Sequence, residues 1–291
     1  LSDSDDGFSV RFWGVRGSIA APGPSTVAVG GNTSCVEVCV AGERVIFDAG
    51  TGVRALGESL QHRGPVRASL FLSHVHWDHI QGLPFFAPLY EEDVLLRTYA
   101  GRETGRTLRG ALAGQMAFPY FPVRFDDVTA SVTCTDLAPR DRVEVGARGV
   151  TVHGVSGHHP DGAFIYRLEH KGHAVVYATD LESSPEVDAR VIEIARGADV
   201  LILDAQYTPE EYAGDGGKRA KVGWGHSTML DAARLAREAG VGTLALFHHD
   251  PGQSDAAVAD KERRAREVFE RTVAAREGAV IDVTRAKKRV P

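Results

Sequence analysis

Apolar and polar residues alternate in short runs along the first fifty positions, and the period changes after that. Residues 10–13, 35–40 and 44–47 carry the alternation and the β-branched or aromatic content of strands. Ala41, Gly42 and Glu43 between the last two predict a hairpin turn. The Ala-Ala-Pro-Gly-Pro stretch at 20–24 predicts a loop. Residues 52–61 predict a short helix that Arg63, Gly64 and Pro65 end. Residues 68–73 are an apolar run, read as a buried strand, that leads directly into a cluster of histidines.

The second half repeats this style, with strands predicted at 142–145, 150–155, 163–169, 173–179, 200–204 and 243–247. A helix is predicted near 187–195. Ser227 is expected to cap another, whose apolar face includes Ala232, Leu235, Ala236 and Ala239 and which Gly240 stops. Residues 255–276 predict a long charged helix with Val258, Ala265, Val268 and Phe269 toward the core. Two strand-rich halves, each followed by helices, predict an α/β protein of two sheets packed face to face with helices outside. One domain spanning 1–291 is expected. The stretch at about 84–125 is aromatic and Pro-rich at both ends with a weakly helical middle. It suits a lid or pocket-wall insertion, or ordinary packing under a long connection.

With 291 residues and 43% apolar content, the chain can bury a large core. A net charge of -6 weighs against non-specific binding to a nucleic-acid backbone, although an average can hide a local basic patch. Cys35 and Cys39 would stand ~13 Å apart on one strand, too far to bridge, so all three cysteines are expected to be reduced. No apolar run approaches ~18 residues, so no membrane span is expected. The first residues, LSDSDDG, lack the basic and apolar regions of a signal peptide, which makes the cytoplasm the default expectation.

The strongest chemical signal is Ser73-His74-Val75-His76-Trp77-Asp78-His79-Ile80-Gln81-Gly82. Alternate residues of an extended chain point the same way, so His74 and His76 can grip one ion. Asp78 and His79 follow a turn and can face a neighbouring ion. Imidazole with carboxylate suits zinc, manganese or iron rather than calcium. Such groups at the end of a core strand cost desolvation unless something pairs with them, which disfavours a chance cluster.

Here the sequence resembles the metallo-β-lactamase superfamily, whose HxHxDH signature stands at residues 74–79. The segments at 10–18, 30–35, 48–52, 177–180 and 225–228 resemble a bacterial branch of it close to ribonuclease Z and the cyclic-phosphate phosphodiesterases. The resemblance implies a four-layer αββα sandwich with two mixed sheets. It also implies two divalent ions, with zinc the leading candidate and manganese or iron tolerated. A first site would comprise His74, His76 and His159, with His158 as the fallback for the last. A second would comprise Asp78, His79 and His248, with Asp180 between the two. Ions ~3.5–4 Å apart can share a water and bring its pKa toward ~7. Asp78 is thus a ligand with a catalytic role. His226, in Gly225-His226-Ser227-Thr228, is assigned the part of a phosphate contact and leaving-group acid, with a capping or packing histidine as the alternative. Asp48 is expected either to orient a ligand histidine or to serve a turn.

His62, His153, His170 and His173 are expected at surface or strand positions, and Lys287, Lys288 and Arg289 at a solvated end. Residues 214–218 read as a flexible loop; Lys218, Arg219 and Lys221 could approach a phosphate only on a weak signal. The leading functional expectation is a phosphodiesterase acting on a small or cyclic phosphodiester. Alternatives are a ribonuclease Z-like nuclease, a lactonase or β-lactamase, and a non-enzymatic metal-dependent sensor. Nucleic acid is a less favoured partner, no membrane partner is expected, and a homodimer is the assembly that the branch implies.

Overall fold

The structure, a computed structural model, describes residues 7–61, 64–102, 107–160, 162–217 and 219–286. His62, Lys218 and the 287–289 cluster lie outside them. Strands β1 (Phe8–Gly14), β2 (Cys35–Val40), β3 (Glu43–Phe47), β4 (Val66–Leu72), β5 (Val94–Gly101) and β6 (Ser131–Leu137) belong to one sheet. Strands β7 (Arg142–Val145), β8 (Val150–Ser156), β9 (Phe164–His170), β10 (His173–Ala178), β11 (Val200–Asp204), β12 (Thr243–Phe247) and β13 (Thr272–Ala274) form the other. A last strand, β14 (Val280–Asp282), returns to the edge of the first sheet beside β1. Both sheets are mixed: β3 to β6 run parallel, as do β10 to β13, and the remaining pairs are antiparallel.

Three apolar clusters define the layers. The first lies between the sheets and joins Val10, Phe12, Phe47 and Phe71 of one to Tyr166, Tyr177 and Phe247 of the other. Phe47 stacks on Tyr177 across this interface at 5.2 Å between ring centroids. The second packs the outer face of the first sheet under α1 (Gly52–Leu60), a short turn α2 (Trp77–Ile80) and α3 (Leu108–Gln115). The third packs the other outer face under α4 (Pro185–Ala195), α6 (Met229–Ala239) and α7 (Asp255–Val268), while α5 (Pro209–Ala213) buries no residue. The expected αββα layering is therefore present. No helix among the described residues is long and apolar enough to cross a membrane.

Several boundaries differ from expectation. The 84–125 stretch holds β5, which pairs with β4 and β6 along its whole length; its alternating burial was masked by the aromatic flanks. Phe118 and Tyr120 of the same stretch stay exposed. The last long helix stops at Val268, because Phe269 turns extended and the chain becomes β13 beside β12. Thr228, not Ser227, caps α6 by accepting from the Asp231 amide. The Ser227 hydroxyl is committed elsewhere, donating to the Leu181 carbonyl at 2.5 Å. Ala41 and Gly42 take the positive φ values, 51° and 78°, that a tight hairpin requires.

Helix α7 also buries a cation that its charged pattern concealed. Lys261 is fully buried and donates to the Ala205 carbonyl at 2.6 Å and the Gln206 carbonyl at 3.2 Å. It thereby clamps the segment that leaves β11. Burial pushes its amine down to about 7. An unfolded lysine titrates near ~10.4, so between these values the unfolded chain binds more protons and stability rises with pH. Relative to Lys261→Met, the wild-type chain should gain up to about 1.4 kcal/mol per pH unit between pH ~7 and ~10. Denaturant unfolding of both proteins across that range checks the slope; parallel curves would show that the amine does not titrate there.

Candidate metal centre

The functional side chains leave the carboxyl ends of parallel strands, the usual place for ligands in such sheets. Asp48 follows β3, the 74–79 motif follows β4, Asp180 follows β10, Asp204 ends β11 and His248 follows β12. Asp48, Asp180 and His248 all take left-handed backbone, with φ of 59°, 56° and 58°. Non-glycine residues adopt that region at a cost, and three at strand ends around one cluster mark a site that the surrounding fold over-determines.

Among the described residues three overlapping groups of donor atoms result, and two of them are the expected ones, His74 with His76 and His159, and Asp78 with His79, Asp180 and His248. His159 Nε2 faces His76 Nδ1 at 3.3 Å. His158, the fallback, is exposed and outside both groups. Asp78 Oδ2 lies 3.2 Å from both His79 Nε2 and His248 Nε2. Asp180 Oδ2 lies 3.2 Å from His79 Nε2 and 3.3 Å from His248 Nε2, while its Oδ1 is 3.9 Å from His74 Nε2. That carboxylate thus stands between the groups. His74 Nε2 and His79 Nε2 are buried with no hydrogen-bond partner. Orphaned imidazole nitrogens aimed at carboxylates fit a divalent transition metal in chemistry and in number of donors.

The remaining ring nitrogens are held from behind. His79 Nδ1 meets Asp48 Oδ2 at 2.7 Å, and that carboxylate also accepts from the Ser73 amide, the Ser73 hydroxyl and the Tyr177 hydroxyl. His159 Nδ1 donates to the Gly225 carbonyl at 3.1 Å, and His248 Nδ1 to Gln206 Oε1 at 3.0 Å. Such contacts fix the tautomer and leave Nε2 for the ion. Burial pushes His74 and His159 down, toward the neutral ligand form. Burial would raise the Asp78 carboxyl, but His79 and His248 hold it below the usual carboxylate range.

His226 takes a different position. Its Nδ1 donates to Asp204 Oδ2 at 2.8 Å, so Nε2 is the nitrogen left for the cavity that the ring lines. Burial alone would lower this imidazole, yet Asp204 and the other carboxylates raise it to about 9. Asp204 also falls within donor range of Asp180, His226 and His248, but its oxygens already accept from the amides of Asp180, Gln206 and Ser227 as well as from His226. It is a positioning group. Its role was missed in the sequence although it ends a buried strand just as Asp180 follows one. Ser18, whose amide donates to Asp78 Oδ2 at 2.8 Å, showed only as the end of the 10–18 segment, and Gln206 had no sequence signal. Glu182 accepts from the Gly223 and Gly225 amides and so fixes the loop before His226. Trp77 and Trp224 line the cavity of about 470 Å³ above the clusters.

A family model described as "Beta-lactamase superfamily domain" matches residues 43–249. The chain belongs to the metallo-β-lactamase superfamily, in its ribonuclease Z-like branch. A ribonuclease Z of Synechococcus sp. (strain CC9605) is 30% identical, with 78% of this chain and 86% of the relative covered. A ribonuclease Z of Haloarcula marismortui is 28% identical, over 82% of this chain and 85% of the relative. Among solved structures, a metallo-β-lactamase fold protein from Bacillus subtilis superposes with a TM-score of 0.69 at 20% identity, covering 95% of this chain and 99% of that one. For this superfamily member, the superposition speaks to the fold; the site stands on its own geometry.

Gly225 allows the approach of its carbonyl to His159. A Cβ there would lie 2.2 Å from His159 Nδ1, on a backbone already at φ 84°. Gly225→Ala should therefore displace His159 and weaken metal retention by roughly ten-fold or more, the order seen when a partner behind a ligand is lost. Chelator competition followed by elemental analysis measures this, and unchanged retention would place His159 outside the metal site.

Proposed function

We propose that the chain is a metal-dependent phosphodiesterase, with zinc the leading metal and manganese or iron compatible with the same donors. His74, His76 and His159 would hold one ion, and Asp78, His79 and His248 the other, with Asp180 shared. Two such ions supply an activated water at neutral pH and neutralise charge that builds on phosphoryl oxygen. The observation that carries this reading is the Asp180 carboxylate standing between two histidine groups, with the buried Nε2 atoms of His74 and His79 turned toward it and left without a hydrogen bond among the described residues.

The chain's own groups account for the rest of the reaction. Asp204 holds the His226 Nδ1 and favours the protonated ring, so its Nε2 can give a proton to a departing alkoxide or donate to a phosphate oxygen. Trp77 and Trp224 wall the cavity and exclude water from one side of a bound diester. The curated relatives named above are ribonucleases, which supports a phosphodiester as the bond cleaved. A small or cyclic phosphodiester fits the 470 Å³ cavity; RNA is the second reading, favoured by those relatives.

Metal-loaded protein should hydrolyse bis(p-nitrophenyl) phosphate and at least one of a 2′,3′-cyclic nucleotide, a 3′,5′-cyclic nucleotide and a pre-tRNA. Turnover confined to a homoserine lactone or a β-lactam in the same panel would remove this reading. For His226→Ala, turnover of diesters with alkoxide leaving groups should fall by about 10²–10⁴, the usual worth of a positioned acid, with much less loss for p-nitrophenolate. Metal content should be unchanged. Metal lost together with activity would make His226 a ligand instead.

A further inference from the structure

A second cavity, about 740 Å³, opens on the outer face of the second sheet, where β7, β8 and β9 extend beyond the cover of α4. Five arginines line it, Arg140, Arg142, Arg167, Arg190 and Arg196, against two glutamates. This excess of positive charge sits in a chain of net charge -6. Like charges gathered in one cleft repel, so each needs a local reason.

Three of the arginines have one. Arg142 and Arg167 share Glu169, at 2.9 Å and 2.8 Å, and Arg167 also donates to the Ile194 carbonyl at the end of α4. Arg190 donates to the Ser156 carbonyl at 3.3 Å. Arg140 and Arg196 have no carboxylate partner among the described residues. Arg196 follows the carboxyl end of α4, which favours a cation there. Arg140 has no such excuse. Its backbone is left-handed, φ 75°, and is held at the cleft by the hydrogen bond that its amide donates to the Gly154 carbonyl at 2.7 Å. In the same cleft, His153 keeps a buried Nδ1 with no hydrogen-bond partner among the described residues.

We propose that this cleft is a non-catalytic binding site for the phosphate backbone of a single-stranded polynucleotide. Guanidinium groups match phosphate geometry in pairs of parallel bonds, and a row of them makes a track rather than a point site. The cleft reaches Ser156, three residues before His159, so at most about 11 Å of extended chain separates its near end from the backbone of that candidate ligand. A strand with its scissile phosphate at the metals can lay neighbouring phosphates along β8 and α4. This direction of approach rests on the phosphodiesterase reading; the cleft and its charge do not. The acidic average of the chain conceals the track because only two carboxylates stand among its five arginines.

The test uses the full, metal-loaded chain and a fluorescent, hydrolysis-resistant 2′-O-methyl oligoribonucleotide, followed by anisotropy across a salt series. Arg140→Ala with Arg196→Ala touches neither ion pairs nor core. The pair should weaken binding about five-fold or more at low salt and lower the salt slope by roughly 1.4, as for two single-strand phosphate contacts. Turnover of bis(p-nitrophenyl) phosphate should stay within about two-fold, and the double lysine variant should recover part of the affinity because it keeps the charge. Unchanged affinity and slope in the double alanine variant overturn the proposal. So does tight binding of inorganic tripolyphosphate at these arginines by a protein that does not bind the oligonucleotide. If the wild-type chain hydrolyses no diester yet binds the oligonucleotide through Arg140 and Arg196, the cleft stands and the phosphodiesterase reading fails.

Discussion

The Asp180 carboxylate is almost fully buried between three imidazoles from two separate strand ends, and the top of the molecule is arranged around it. An isolated carboxylate in that position would cost far more than a domain's net stability. It is tolerated because His79, His248 and His74 crowd it and its own amide is tied to Asp204 at 3.1 Å. Neutral histidines alone offer donors but no charge, and protonated ones would repel each other. Bound divalent metal would resolve both problems, offsetting Asp78 and Asp180 while leaving the rings neutral. The donor arrangement and the left-handed backbone at Asp180 and His248 are then one requirement seen twice.

Outside the donors runs a ring of groups that never face the cavity. Asp48 gathers four hydrogen bonds from Ser73, His79 and Tyr177, and so links the end of β3 to a ring of the opposite sheet. Asp204 does the same for β10, β11 and the Gly225–Ser227 turn. Lys261 reaches in from α7 to hold the carbonyls beside Gln206, whose side chain orients His248. Both sheets and the helix layer over the second thus contribute to positioning at least one ring. A site assembled from distant segments keeps sub-ångström placement only with such bracing.

The sequence made the local chemistry plain and the bracing nearly invisible. The 74–79 motif sits on consecutive residues with a strand before it, so its geometry follows from side-chain direction alone. His159, Asp180 and His248 are separated by tens of residues, and their placement came through family resemblance; the structure brings all three to the cluster and leaves His158 outside. Asp204, Gln206, Ser18 and Lys261 act through contacts made only after folding. A helical lysine in a charged stretch such as Asp260-Lys261-Glu262 reads as solvated, and nothing nearby says that it meets two carbonyls. The fold shows the same division. Strands with strong apolar alternation were legible, whereas β5, β6 and β13 are defined by their partners more than by their own residues.

Net charge is the other quantity that the linear chain misrepresents. Charges that cancel in a sum are unevenly placed in space, with three aspartates gathered at the metal centre and five arginines against two glutamates on the open face of β7, β8 and β9. Electrostatic attraction of a flexible polyanion depends on the local potential within a Debye length, ~8–10 Å, and not on the molecular total. A chain of net charge -6 can therefore repel a polynucleotide at long range and still grip one along a single track. Binding of that kind would be weak at physiological salt and would act on orientation more than on capture. That suits a hydrolase whose metals already supply the local attraction for the scissile phosphate.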